Sequence, residues 1–194
     1  MTYYHASSVK DLKVLSPGIS KHGKPWVYLA DKRENTLVYL CNAIEKYCKE
    51  TGFNYEGRCY KWASYGFDQD GILQLEEYYP NAIWDTYKGM TGYIYSAKGC
   101  EDVDPLGDIA GAFTSDKSVE IDTCEIVPDA YEAIMEAVLE GKLMIQKYED
   151  MSAAKLEWIK NKIMEDYNTK KDIPEYIHFL EGKFSFLSES DCID

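Results

Sequence analysis

The apolar and polar positions divide the chain into segments with different periods. TYYHA (2–6) is aromatic and β-prone, and predicts a short strand that ends at a histidine. SPGISKHGKP (16–25) holds two Pro and two Gly and reads as a loop. WVYLA (26–30) is apolar at almost every position, as in a strand covered on both faces. In DKRENTLVYLCNAIEKYCKETG the residues Leu37, Leu40, Cys41, Ile44, Tyr47 and Cys48 recur at three and four, which predicts one amphipathic helix. Asp31 and Glu34 have the spacing of a capping box at its start, and Gly52 stands where such a helix closes.

From 57 to 96 the period changes. RCYKWASYGF, ILQLEEYY and TGYIYSA read as strands, with DQDG (68–71) as a hairpin turn and PNAIWDTYKG (80–89) as a short helix. KGCEDVDPLGDIAGAFTSD (98–116) is acidic and rich in turn residues, and reads as a long loop of the kind that carries function or lacks order. SVEIDTCEIV (118–127) predicts one strand with Val119, Ile121, Cys124 and Ile126 inward. Three helices follow Pro128. The first is capped by Asp129 with Glu132 and ends at Gly141. The second starts at Ser152, with Leu156, Ile159, Ile163 and Met164 on one face. The third is IPEYIHFLEGK. This order predicts an α+β fold, mainly antiparallel, with residues 1–127 as one domain and 128–194 as a helical extension packed on it.

Composition narrows the function classes. The chain has 194 residues, enough for a core that needs no disulfide staples, and a net charge of −13. That charge opposes broad nucleic-acid binding and an anionic membrane surface, but not a single anionic ligand in a local site. No apolar run reaches the length of a membrane span, and the start lacks the pattern of a secretory leader, so a cytoplasmic protein is expected. The six cysteines show no zinc or C-x-x-C spacing and are expected to be free and mostly buried. No metal is expected. DQDGILQLEE carries only a fragment of a calcium loop. His178 lies on an apolar helix and reads as a packed side chain. His22, with Lys21 and Lys24, forms a small basic patch.

The chemistry-bearing residues are His5 at the end of the first strand, followed by Ala6 and Ser7; Tyr28 in the second; and the acidic segment CEDVDPLGD. Their order resembles the ADP-ribosyltransferase superfamily. It is closest to the small rifamycin-modifying ADP-ribosyltransferases, through H-A-S, VYLA leading into a helix, and YSAKGCEDVDPLGDIAGAFTSDKSVEI. The resemblance spans about residues 2–127. It implies a split antiparallel sheet binding NAD⁺ as a substrate. His5 would hold the ribose beside nicotinamide, Ala6 and Ser7 would line the same pocket, and Tyr28 would stack on the nicotinamide ring. Asp104, before Pro105, would be the functional carboxylate. Two departures stand out. Ala6 replaces the family's glycine, and Ala112 occupies the place of its glutamate. The resemblance therefore leaves three readings open: Asp104 acts as the acid, Glu120 does, or the site binds without turnover. The partners it implies are NAD and an acceptor that the sequence does not specify, and the oligomeric state stays open.

Overall fold

The computed structural model describes residues 1–19, 23–59, 64–107 and 109–189. In chain order the elements are β1 (Thr2–Ser7), β2 (Val14–Leu15), β3 (Gly18–Ile19), β4 (Pro25–Ala30), a 3-10 turn (Glu34–Tyr39), α1 (Ala43–Thr51), β5 (Ser64–Phe67), β6 (Leu73–Glu76), α2 (Ala82–Tyr87) and β7 (Gly92–Lys98). They continue with β8 (Asp104–Pro105), β9 (Ala112–Ser115), β10 (Val119–Glu120), β11 (Thr123–Val127), α3 (Ala130–Leu139), β12 (Leu143–Gln146), a 3-10 turn (Tyr148–Asp150), α4 (Ala153–Thr169), α5 (Pro174–Lys183) and α6 (Phe186–Glu189). The fold is α+β, and every registered strand pair is antiparallel.

The chain forms two compact units, each built from three stretches. The first holds Met1–Cys41, Gly66–Gln74 and Tyr87–Met144; the second holds Asn42–Tyr65, Leu75–Thr86 and Ile145–Asp194. A single cut after 127 does not separate them, because α3 belongs to the first unit and both α1 and α2 to the second.

The first unit is a sheet in the order β11-β7-β1-β4-β9-β8, with β3 added on β4. Residues directly opposite share a face and successive residues alternate. One face carries Tyr3, Val27, Leu29, Ala97 and Phe113, which pack with Leu15 and Val119 into an apolar cluster. The other carries Tyr4, Ala30 and Ile94. The 3-10 turn contributes buried Leu37 and Val38 to this unit, and α3 buries Ala130, Ile134 and Ala137. Asp129 caps α3 as the sequence predicts, accepting from the amides of Tyr131 and Glu132.

The second unit is helical. Ile44 and Cys48 of α1, Ile159 and Ile163 of α4, and Tyr176, Phe179 and Leu180 of α5 form its core. Ser152 caps α4 and Pro174 opens α5, both at the expected places. Glu77 lies buried with one carboxylate oxygen accepting from the amide of Ile83 and the other from the amide of Tyr148. His178 is packed as expected, stacked on Phe53 at 4.1 Å and bonded to the Thr51 hydroxyl.

Several expectations are corrected. The single helix from 31 to 52 is two pieces. The chain leaves helical geometry at Leu40, and Asn42 is extended, its side-chain oxygen accepting from the amide of Glu45 to start α1 anew. Asn35, Thr36, Val38 and Tyr39 are weak helix formers, so the first piece closes as a 3-10 turn while Asn42, a strong cap, nucleates the second. The apolar stripe is therefore shared between two cores. Gly52 does close α1, at φ 71°.

The acidic loop of 98–116 is largely a hairpin: β8 and β9 pair, with Asp104 opposite Thr114. The strand expected over 118–127 breaks into β10 and β11. Val119 is buried, but Cys124 and Ile126 are exposed and Val127 is buried instead. Of the described cysteines, only Cys48 is buried. The expected strand over 58–67 and the patch of Lys21 and His22 include residues 60–63 and 20–22, which lie outside the described residues.

Candidate functional site

The first unit holds the chemistry-bearing residues singled out in the sequence but divides them between different faces and strand pairs. Along one edge β1 pairs with β7 over its full length, from Thr2 opposite Lys98 to Ser7 opposite Tyr93. Along the other edge it is registered with β4 at a single pair, Tyr4 opposite Ala30. Past that pair the strands are joined by a side chain. The imidazole Nδ1 of His5 lies 2.9 Å from the Tyr28 carbonyl oxygen.

A carbonyl only accepts, so Nδ1 carries the proton and Nε2 keeps a lone pair in the neutral ring. Burial pushes the His5 pKa below the usual imidazole value, against the Tyr28 bond, which favours the charged form. His5 is therefore poised as a neutral ring with an acceptor nitrogen. Opposite it on β7, the Tyr95 hydroxyl donates to the Val9 carbonyl at 2.6 Å and accepts from the Leu12 amide, pinning the chain that follows β1.

Tyr28 and Asp104 stand in one row. Tyr28 is opposite Thr114, and Thr114 is opposite Asp104. These three side chains share a face, spaced by about 5 Å per strand. Tyr28 is half-buried, with the Trp26 ring against it at 6.2 Å and 72°, and Lys24 Nζ lies 5.2 Å from the Trp26 ring. Asp104 is exposed.

His5 leaves β1 on the opposite face, with Tyr3 and Ser7, while Ala6 alternates to the Tyr28 face. The two rings thus do not stand side by side on one sheet surface. What links them is the bond by which His5 turns across to β4 and reaches the Tyr28 backbone. Glu120 is not brought into this arrangement. It belongs to the separate β10–β2 pair, opposite Val14, and is exposed. Ala112, in the place where the resemblance expects an acid, is opposite Ala30, one row along from Tyr28 and Thr114 on the same face.

Sequence reasoning missed two residues beside this row. Asp31 and Asn35 each hold a buried side-chain oxygen, Oδ1, without a hydrogen-bond partner. The signal was present in the capping-box spacing at 31–34, but Asp31 does not cap a helix here. The first helical segment is preceded by Arg33 and has no side-chain cap. Among the described residues no group of three or more His, Cys, Asp or Glu is arranged to hold a metal ion, and no helix is long and apolar enough to cross a membrane. Comparison with protein-family models, curated proteins and solved structures gives no match for this chain.

Proposed function

We propose that the first unit binds NAD⁺ beside the His5–Tyr28 bridge and transfers ADP-ribose to an acceptor. The supporting observation is the His5–Tyr28 bridge across two strands registered at only one pair. It involves the histidine to which the resemblance assigns the nicotinamide ribose. It also holds His5 in the tautomer whose Nε2 accepts from a ribose hydroxyl. Tyr28 offers an aromatic face to the nicotinamide ring.

In the reaction, the bond between the ribose carbon and the nicotinamide nitrogen breaks. Its electron pair goes to the pyridinium nitrogen and neutralises it. The ribose carbon becomes oxocarbenium-like, and an acceptor hydroxyl, amine or water adds there and loses its proton. Asp104, in the Tyr28 row, would stabilise the developing positive charge and take that proton.

Nicotinamide release and the thermal shift given by NAD⁺ test this reading. Tyr28→Ala is expected to weaken NAD⁺ binding about tenfold or more, from the loss of a stacking face. Asp104→Asn is expected to keep binding and lower turnover about a hundredfold. Turnover unchanged in Asp104→Asn would remove that residue from the mechanism. A wild-type chain that neither shifts its melting temperature with NAD⁺ nor releases nicotinamide would overturn the proposal.

Ala112 favours a second reading, a module that binds NAD⁺ without turnover, since Ala112 stands where the resemblance expects an acid and its partner in register is Ala30. A thermal shift without nicotinamide release would select it.

A further inference from the structure

The Asp31/Asn35 pair is the feature of the first unit that folding alone does not explain. Asn35 is only 5% exposed, yet its Oδ1 has no donor, and neither has Oδ1 of Asp31. The two side chains meet beneath Gly111. A side-chain carbon at Gly111 would fall 2.5 Å from Asp31 Oδ1 and 3.4 Å from Asn35 Nδ2. Gly111 has φ +68°, and its carbonyl accepts from the Asp31 amide at 3.1 Å. Two acceptor oxygens cannot satisfy each other. Left dry and unpaired they weaken the fold, so a group bearing two donors is the natural complement.

We propose that Asp31 and Asn35 bind the diol of the NAD⁺ ribose remote from nicotinamide, an inference that rests on the NAD⁺ reading above. A vicinal diol presents two O–H donors side by side. Asp31 directly follows β4, so the pair lies at the end of the strand that carries Tyr28. Entry requires Gly111 to move off the pair, giving up its main-chain bond to Asp31. The carboxylate also sets a preference. A phosphate on that ribose, as in NADP⁺, would replace a donor with negative charge against Asp31.

Calorimetric titration of the intact chain with NAD⁺ and NADP⁺, repeated on Asp31→Asn, tests the assignment. The wild type is expected to bind NAD⁺ at least about tenfold more tightly than NADP⁺, a difference of one lost hydrogen bond or more. Asp31→Asn is expected to lose most of that preference and to weaken NAD⁺ itself. Its unliganded melting temperature should rise, because the new amide can donate to Asn35. A purely structural role would move the melting temperature and leave the NAD⁺/NADP⁺ ratio alone. An unchanged ratio with NAD⁺ binding intact sinks the diol assignment and spares the NAD⁺ reading. A wild type that binds neither dinucleotide sinks both.

Discussion

Two sets of buried polar side chains, one in each unit, are treated in opposite ways. In the second, Glu175 is 1% exposed and fully used: it accepts from the Arg58 amide at 3.0 Å and from the Arg58 guanidinium at 3.2 Å. Burial alone would raise its pKa. Hydrogen bonds from backbone amides, its own and that of Arg58, together with the Arg58 charge, outweigh burial and hold it below the usual carboxylate range. Glu77 likewise spends both oxygens on amides. In the first unit, Asp31 and Asn35 leave buried oxygens without donors. A polar group buried with its partners is part of the scaffold, whereas one buried without them calls for its own explanation. The contrast sets Asp31 and Asn35 apart from the partnered carboxylates of the helical unit.

The largest effect that should sharpen this contrast is in the helical unit. Glu77→Ala leaves the amides of Ile83 and Tyr148 without their acceptor, and should cost about 2–4 kcal/mol, read as a lower urea midpoint. Glu77→Gln keeps one acceptor oxygen and should lose less. If Glu77→Ala is neutral, the claim that buried carboxylates there are scaffold is wrong.

Gly111→Ala comes next. It forces a side chain into a left-handed backbone and against Asp31 Oδ1, and about 1–3 kcal/mol of stability should be lost. Repeating it in an Asp31→Ala background should recover part of the loss, because the clashing oxygen is gone. Equal losses in both backgrounds would mean that Gly111 is there for its backbone alone.

The smallest effect is on pH dependence. His5 has a pKa depressed below the usual imidazole value of 6.5, so the unfolded chain takes up a proton there before the folded one does. Its contribution to stability is full above that value and declines as pH falls from 7 towards 5. Ordinary carboxylates titrate below this window. Urea midpoints at pH 7 and pH 5 should therefore differ less in His5→Gln than in the wild type. An identical difference would show that the ring is not held neutral by burial.

Legibility in the sequence followed the range of the interactions. The caps at Asp129 and Ser152, the closing Gly52, the strand at 2–6 and the turn at 68–71 were all readable, because each depends on a few neighbouring residues. In that turn the Asp68 carboxylate accepts from the amides of Asp70 and Ile72. The helix over 31–52 misled for the same local reason. Leu37, Leu40, Ile44 and Cys48 satisfy the spacing of a helix although they serve two separate cores, and no local pattern records that division. The hairpin hidden in the acidic segment was equally out of reach, since Asp104 becomes a strand residue only by pairing with Thr114.

For the candidate site, the residue types were legible and their arrangement was not. Composition and pattern alone determined an acidic α+β chain with a strand-end histidine, a tyrosine on another strand and an acid near a proline. Only the register of β4, β9 and β8 decided that Tyr28 and Asp104 share a row and that Glu120 lies outside it. Only the packing of Gly111 over Asp31 and Asn35 revealed two oxygens in want of donors. The physical reason is distance along the chain: caps and turns close within a few residues, whereas strand register and burial are settled by segments that meet only after the chain has folded.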